Sequence, residues 1–375
     1  MLIQKALKAA REVPIEIGRF LHGAYPDFVL SRRVEALGQQ VPVFMFHSVQ
    51  RAGFQAQLRY LRENGYRTLD LETFLAFLQG KHRLTAPSVL LTFDDGHKSW
   101  YEVAYPLLKA HGFQAVGFVV PTYIREQSSA THWLSWPELL EMEDSGVMRF
   151  ESHSAHHDQI FTGPRLLDFH RPDYPHDAMG LDIPWIHHRG DYTNALPWGT
   201  PIYTHASRYA GMPRYLDDPG VRAACVDWVV ARGGEQVFRE RHWRRELTAL
   251  HRRLAGAAVK PAYESADAQR AALLHELRQG RERLAERLRR PVRHLCFPWG
   301  IGSDLAVALS REAGYLSSFW ITHPRRNTNR PGDCPFHVAR LKDDYLLRLP
   351  GRGRQPLAGI FRMKLQRRAQ RLDIY

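Results

Sequence analysis

Short apolar segments alternate with amphipathic segments in the first part of the chain. Residues 41–46, 88–93 and 115–120 are apolar and rich in β-branched and aromatic side chains, which predicts buried strands. Between them, apolar residues recur at helical spacing in residues 54–63 and 71–78. Strands that alternate with helices predict a parallel α/β fold with its chemistry at the carboxyl ends of the strands.

This alternation is interrupted and then resumes. Residues 160–265 are rich in His, Pro, Tyr, Trp and Gly and show little regular periodicity before Val221. Their aromatic content predicts a large insertion or lid rather than a disordered linker. Regular patterns return with a helix predicted at 266–289 and a strand at 292–297. We therefore expect a three-part organisation: an N-terminal extension (1–40), a barrel that carries the insertion (41–345) and a basic C-terminal tail (346–375).

Composition adds limits to this picture. The chain has 375 residues and is 44% hydrophobic, which allows one large domain or two ordinary ones. Its three cysteines are widely spaced and form no disulfide framework or zinc motif, which is typical of a reducing compartment. The net charge of +13 favours acidic partners, although basic helix-like stretches are also ordinary solvated surfaces. No known nucleic-acid-binding module accompanies the charge, so nucleic acid is not an expected partner.

The chain also shows no strong membrane or export signal. The N-terminal residues lack the uninterrupted apolar stretch of a secretory signal, and no run of about 18 apolar residues predicts a transmembrane helix. We therefore expect a cytoplasmic protein. Residues 360–368 alternate apolar and cationic side chains at helical spacing. This tail is either a surface helix docked by its apolar side or a peripheral contact with the anionic inner membrane surface.

Two motifs carry the candidate chemistry. Thr92-Phe93-Asp94-Asp95-Gly96 places two carboxylates at the end of a predicted buried strand, where a cation would stabilise both charges. Such a pair before a glycine is also common at turns. His153 and His157, at positions i and i+4 of one predicted helical turn, can converge on one ion, although chance pairs are frequent among 20 histidines. Three ligands with a spare carboxylate suit metal-assisted hydrolysis.

Together with the Phe297-Pro298-Trp299-Gly300 turn, these motifs occur in the order typical of one family. Over residues of about 40–157 and 270–342, the chain resembles the polysaccharide deacetylase family (carbohydrate esterase family 4, with a NodB-like domain). The resemblance implies an α/β fold, a distorted (β/α)7 TIM-like barrel, and the large insertion predicted above follows the His-x-x-x-His motif. It also implies a hydrolase that removes acetyl groups from N-acetylated sugars in a polysaccharide or glycan precursor, with a divalent metal, usually zinc.

The resemblance also implies roles for individual residues. Asp94 matches the general base of the family. Asp95, His153 and His157 match its metal ligands. The backbone N–H of Trp299 matches the donor to the oxyanion of the tetrahedral intermediate.

The chain departs from the family pattern at two catalytic positions. Many members place an arginine shortly before the proline–aromatic pair, where it tethers the base, but this chain has Leu295 and Cys296 there. Arg340 is the candidate substitute from another strand, and a purely structural arginine is the alternative. The late histidine acid also lacks a clean match, so His323 is the first candidate and His337 the second.

Substrate contacts and alternative functions stay open at this stage. His47 ends the first predicted strand and, with Pro298 and Trp299, is a candidate substrate contact, although His47 also suits a packed structural role. Aromatic and histidine side chains of the insertion suit either sugar stacking or a small core of its own: Trp185, His187, His188, Tyr192, Trp198 and Tyr203. The alternatives to a deacetylase are a non-catalytic glycan- or membrane-surface-binding module, and a deformylase of a lipid-linked sugar.

Overall fold

The computed structural model describes residues 25–176, 179–256, 261–321 and 328–369. The chain forms two compact units. The first comprises Met1–His156, Leu274–Gly302 and Val307–Tyr375, and the second comprises His157–Leu273 and Ser303–Ala306.

Strands and helices alternate in the first unit, as the apolar pattern predicts. In chain order, the described strands are β1 (Val43–Phe46), β2 (Arg67–Thr68), β3 (Ser88–Asp95), β4 (Ala115–Val119), β5 (Met148–Ser152), β6 (Gln159–Phe169), β7 (Ile186–His188), β8 (Asp191–Thr193), β9 (Pro201–Ser207), β10 (Tyr215–Leu216), β11 (Ala262–Tyr263), β12 (His294–Cys296), β13 (Ser317–Ile321) and β14 (Val338–Lys342). The described α-helices are α1 (Asp27–Leu30), α2 (Arg51–Glu63), α3 (Leu71–Leu78), α4 (Tyr105–His111), α5 (Trp136–Asp144), α6 (Pro219–Val230), α7 (Trp243–Ala255), α8 (Ala266–Leu288), α9 (Asp304–Glu312) and α10 (Leu357–Ala369).

Seven parallel strands close a barrel in the first unit. Their order is β1, β14, β13, β12, β5, β4 and β3, and β1 pairs with both β14 and β3. The two-residue strand β2 joins the same sheet along β3. This architecture confirms the predicted distorted (β/α)7 barrel. Because all strands of the ring run in one direction, the residues at their carboxyl ends meet at one rim.

An apolar core holds the barrel together. Phe118 of β4 and Phe319 of β13 are fully buried, and their ring centroids lie 4.9 Å apart. Helix α3 contributes Phe74, Phe77 and Leu78 to the same buried cluster, at the spacing that places side chains on one helix face. Burying each of these large side chains stabilises the fold by about 1.5–3 kcal/mol.

The second unit has more regular structure than its sequence pattern suggests. Its main feature is the antiparallel pair of β6 and β9, whose register shifts between Phe161 and Asp168. These shifts break the alternation of apolar and polar positions, which explains why no strand pattern was visible in the sequence. The side chain of Tyr203 is buried in an apolar cluster of this unit, whereas Trp198 is 37% exposed and stacks on His170.

The basic tail forms a helix in the first unit. Helix α10 buries Ile360, and Lys364 Nζ lies 3.2 Å from the hydroxyl of Tyr345. Phe361 and Arg362 of the same helix are exposed. Among the described residues, no helix combines the length and the apolar character needed to span a membrane.

Candidate metal centre

Two adjacent carboxylates end strand β3. Asp94 and Asp95 are buried, with 2% and 1% of their surface exposed, and they pair with Phe118 and Val119 of β4. Asp95 has φ of 86°, in the left-handed region that is unfavourable for residues with a side chain. Such backbone strain concentrates at functional sites. The strand therefore delivers two carboxylates to the carboxyl-end rim of the barrel.

The two histidines of the second motif meet by a route that differs from the predicted one. His153 follows β5, and its backbone N–H donates to the carbonyl of Val119 at 2.9 Å. Ser154 and His157 have φ values of 70° and 56°, so this segment is a turn and the predicted helical turn is wrong. Both imidazoles are buried. Positive φ angles, which helical residues do not adopt, turn the chain between them.

Asp95, His153 and His157 form the predicted cluster. One ligand atom from each residue lies within 4.8 Å of the other two, and all three residues are buried. His153 Nε2 lies 3.3 Å from Asp95 Oδ1, while Nδ1 lies 2.8 Å from the carbonyl oxygen of Cys296. Because a carbonyl only accepts hydrogen bonds, Nδ1 carries a proton, and Nε2, on the Asp95 side, is the nitrogen that can bind a metal ion.

This donor set fits a divalent metal ion. A metal-binding imidazole commonly donates its second N–H to a backbone carbonyl, which fixes the ring and its tautomer, as Cys296 does for His153. Asp94, His153 and Cys296 also bring ligand-type atoms together. In that second group, however, both oxygens of Asp94 are bonded to an arginine. Asp95, His153 and His157 are therefore the candidate metal ligands.

Arg340 forms a bidentate ion pair with Asp94. Its Nη1 lies 2.7 Å from Asp94 Oδ1 and its Nη2 lies 2.8 Å from Oδ2, and the arginine is fully buried on β14. Nη1 also lies 3.3 Å from Thr92 Oγ1. Burial raises the pKa of the Asp94 carboxyl, but the charge and hydrogen bonds of Arg340 outweigh burial and hold that pKa below its ordinary value. Asp94 is therefore an ionised, firmly oriented carboxylate.

Cys296 occupies a position where the family often has an arginine. Its Sγ lies 3.7 Å from Asp94 Oδ2, and its carbonyl oxygen accepts a hydrogen bond from His153 Nδ1. Cys296 therefore contacts the residues of both motifs, a role that its sequence position alone did not reveal. The contact between Cys296 and His153 depends on the pairing of β12 with β5, which the sequence did not reveal.

The proline–aromatic turn lies at the same rim. Pro298–Gly300 follows β12 as a short 3₁₀ turn, and Trp299 and Gly300 both have φ of 61°. A Cβ atom on Gly300 would lie 2.1 Å from Cγ1 of Ile321, so the turn packs directly on the end of β13. Only glycine permits this close approach, which fixes the peptide groups of the turn.

The remaining candidates are placed differently. His47 follows β1, its carbonyl oxygen accepts a hydrogen bond from Trp100 Nε1 at 2.5 Å, and its ring is close enough to lower the pKa of Asp94. His337 ends a short helix that precedes β14, so it lies before the strand instead of at its carboxyl end. His323 lies outside the described residues.

Glu276 is a residue of the site region that the sequence reasoning missed. This buried side chain of α8 contacts the turn between the two histidines. No spacing rule links it to the histidine motif, because 120 residues separate it from His156.

Comparisons with known proteins place the two motifs within a matched family segment. Residues 81–174 match the model of the family described as polysaccharide deacetylase, which confirms the predicted resemblance. The matched segment contains the carboxylate pair, both histidines and strand β4 between them.

Two curated relatives extend the match. The YxkH protein of Bacillus subtilis, named as a polysaccharide deacetylase, is 31% identical over 126 residues, which are 32% of this chain and 43% of that protein. The poly-β-1,6-N-acetyl-D-glucosamine N-deacetylase of Staphylococcus aureus is 33% identical over 109 residues, which are 29% of this chain and 37% of that protein. The matched segments thus span less than half the length of these relatives.

Two solved structures share the fold over most of the chain. The BpsB deacetylase domain of Bordetella bronchiseptica has a TM-score of 0.52 and 18% identity, and the match covers 83% of this chain and 98% of that one. A de-N-acetylase of Aggregatibacter actinomycetemcomitans has a TM-score of 0.50 and 18% identity, with coverage of 80% and 94%. At this identity, the likeness supports the barrel fold.

Proposed function

We propose that this chain is a metal-dependent deacetylase that removes acetyl groups from N-acetylated sugars of a polysaccharide. The observation that carries the proposal is the buried cluster of Asp95, His153 and His157 beside the arginine-bound Asp94. The name of the Staphylococcus aureus relative points to a polymer of β-1,6-linked N-acetylglucosamine as the first substrate to test.

Asp95, His153 and His157 would hold the metal ion, and zinc is our proposal for it. Two imidazole nitrogens and one carboxylate oxygen suit zinc, and three protein ligands leave a position open for solvent or substrate. When bound, such an ion polarises the acetyl carbonyl and increases the acidity of water. The positive φ angles of Asp95 and His157 set the directions in which these two side chains leave the backbone.

Asp94 is the proposed general base. Arg340 keeps it ionised and binds both of its oxygens, yet a carboxylate has further lone pairs that can accept a proton from water. The bidentate pairing also prevents rotation of the carboxylate, so the accepting lone pairs keep one direction. A positioned base of this kind contributes about 10²–10⁴-fold to the rate.

The turn at Pro298–Gly300 is the proposed oxyanion donor and substrate contact. We infer that the backbone N–H of Trp299 donates to the negative oxygen that develops on the acetyl carbon. The packing of Gly300 on Ile321 holds that N–H before the reaction, and one such donor is worth about 2.7–4 kcal/mol. Pro298 and His47 are proposed substrate contacts, and His323 is proposed to protonate the leaving amine.

The test is release of acetate and free amine from β-1,6-linked N-acetylglucosamine oligomers, with zinc content measured in parallel. Asp95→Ala should lose both zinc and activity, whereas Asp94→Asn should keep zinc and lose activity by about 100-fold or more. Asp267→Asn, which changes an exposed carboxyl in α8, is the matched control.

Two results would contradict this function. Full activity of Asp94→Asn would show that Asp94 is not the general base. Zinc binding without release of acetate from any acetylated sugar would favour a non-catalytic binding module. N-formylated sugars are assayed beside N-acetylated ones, and release of formate but not acetate would identify a deformylase.

We also propose a peripheral contact of helix α10 with an anionic membrane surface inside the cell. Its exposed Phe361 and Arg362 combine an apolar and a cationic side chain on one accessible segment. Co-sedimentation with vesicles that contain anionic lipid, but not with neutral vesicles, is the expected result.

A further inference from the structure

Helix α8 covers the turn that contains His153 and His157. One of its side chains, Glu276, is only 5% exposed. Its Oε1 accepts hydrogen bonds from the backbone N–H groups of Ala155, at 3.1 Å, and His156, at 2.7 Å. Its Oε2 lies 2.7 Å from Nδ1 of His156. A single buried carboxylate thus binds three polar atoms of the segment between the two candidate metal ligands.

The backbone of the turn is shaped for such a contact. Ser154 has φ of 70°, and this left-handed residue is followed by two N–H groups that converge on the same oxygen. Successive N–H groups at such a bend form a concave site for an anion. A buried N–H without an acceptor costs about 1–3 kcal/mol, so the turn and the carboxylate stabilise each other.

Gly280 brings the helix backbone against the same turn. It lies one helical turn beyond Glu276, and a Cβ atom there would be 2.7 Å from the carbonyl carbon of Ser154 and 2.8 Å from the nitrogen of Ala155. Thr122 Oγ1 also donates to the carbonyl of Ala155, at 2.6 Å. The turn is therefore held both by α8 and by the segment that follows β4.

We propose that Glu276 is a positioning residue that fixes the turn in its metal-binding geometry and thereby sets the affinity of the site for metal. It acts through backbone N–H groups and leaves the ligand rings themselves to other contacts. Ala155 is two residues after His153, and His156 directly precedes His157. Holding the N–H groups of Ala155 and His156 in place therefore fixes the backbone segment that joins the two ligands. The inference rests on the metal site of the proposed function and is independent of the substrate.

The test measures the affinity of the full chain for zinc by competition with a chelator. Glu276→Ala should raise the Kd for zinc by about 10–100-fold, the usual range for residues that support metal ligands. Glu276→Gln should lose less, because its amide oxygen still accepts from both N–H groups. Glu282→Ala, an exposed change on the same helix, should leave the Kd unchanged. Thermal unfolding of each metal-free variant is measured in parallel.

Gly280→Ala supplies an independent variant that keeps the carboxylate. Alanine in a helix interior is about 1 kcal/mol more favourable than glycine, so this change does not weaken α8 itself. Its Cβ would push against Ser154 and Ala155 and displace the turn. We expect weaker zinc binding by this variant also, and that loss could not come from an unfolded helix.

Zinc binding as tight as wild type by folded Glu276→Ala and Gly280→Ala would overturn the proposal. If Glu276→Ala does not fold, Gly280→Ala decides by the same criterion. A wild-type chain that binds zinc but releases no acetate would overturn the proposed function alone. A wild-type chain that binds no zinc would overturn both, before any variant is compared.

Discussion

The environment of Asp94 shows how a single charge is made usable inside a protein. An isolated carboxylate at this depth would take up a proton, because burial disfavours its charged form. Arg340 supplies a counter-charge and two aligned hydrogen bonds, and it is fully buried itself. A planar guanidinium can bind both oxygens at once, which a lysine cannot do.

Replacing this arginine tests its geometry separately from its charge. Arg340→Lys keeps a cation but loses the bidentate contact, so we expect kcat/KM to fall by about tenfold or more while zinc content is retained. Arg340→Met leaves Asp94 buried and unpaired, which should lower the free energy of unfolding by about 3–5 kcal/mol. Steady-state kinetics and chemical denaturation measure the two effects. Arg330→Met, an exposed change, is the control, and an unaltered kcat/KM in Arg340→Lys would contradict the argument.

A second buried residue predicts how stability depends on pH. Burial, together with Arg149, Arg290 and Arg293, lowers the pKa of His294 from 6.5 to about 3. Its Nδ1 lies 2.7 Å from Ser317 Oγ. The folded chain therefore holds this ring neutral, and the unfolded chain binds its proton more tightly. The contribution of His294 to stability is complete above pH 6.5 and is lost as the pH falls from 6.5 towards 3.

His294→Asn should flatten this part of the stability profile. One proton contributes up to about 1.4 kcal/mol per pH unit, so wild type and variant should differ in slope by about that amount between pH 6 and pH 4. Chemical denaturation across this range measures the slopes. His275→Asn, which changes an exposed histidine, should retain the wild-type slope. Equal slopes for all three proteins would show that folding does not change the pKa of His294, which would contradict the argument.

At the level of whole elements, strands were predictable and turns were not. Apolar runs of four to eight residues identify buried strands because both faces of a barrel strand are covered. The same reasoning placed His153 and His157 on a helical turn, because their spacing fits one. The left-handed angles at Ser154 and His157 are set by contacts with distant segments such as α8, and local spacing carries no information about those contacts.

The turn after β12 gives a prediction at this scale. Gly300→Ala would place a Cβ atom 2.6 Å from the backbone nitrogen of Ile321, which cannot move without disturbing β13. We expect kcat/KM to fall at least tenfold, with zinc content retained, because the Trp299 N–H is displaced. Activity and zinc content of the purified variant check this.

Gly332→Ala is the matched control for this change. Gly332 also has a positive φ, of 88°, but an added Cβ would meet no atom within 4 Å. The Gly332→Ala variant therefore has the backbone strain of a left-handed alanine, about 1–2 kcal/mol, without the steric clash that Gly300→Ala makes with Ile321. If both variants lose activity equally, strain alone explains the effect and the proposed placement of the turn is unsupported.

For the molecule as a whole, the barrel and the presence of a large insertion were predicted, but the strands inside the insertion were not. Alternation of strands and helices, with polar residues after the strands, predicted a parallel α/β fold, and the resemblance to polysaccharide deacetylases implied that it closes into a barrel. The antiparallel pair of β6 and β9 was hidden by its register shifts between Phe161 and Asp168. The resemblance proposed Arg340 as the partner of Asp94. The bidentate geometry of this pair could not be predicted, because the two residues lie 246 positions apart on different strands.

Metal binding should stabilise the whole fold. An ion held by Asp95, His153 and His157 binds the folded chain, so zinc at 100 times its Kd should add about 2.7 kcal/mol and raise the Tm by several degrees. His157→Ala should abolish this shift. Magnesium at the same concentration is the control ion, because it prefers oxygen ligands. A Tm that does not respond to zinc in the wild-type chain would argue against the site.

Strand β14 has two tasks, and their combination constrains the order in which this protein can assemble during synthesis. It pairs with β1 and β13 to complete the ring, and it brings Arg340 to a carboxylate made 246 residues earlier. A growing chain on the ribosome thus carries Asp94 before its counter-ion has been made. Because one five-residue segment both closes the ring and pairs with this carboxylate, a nascent chain cannot complete the candidate site until residues 338–342 have emerged.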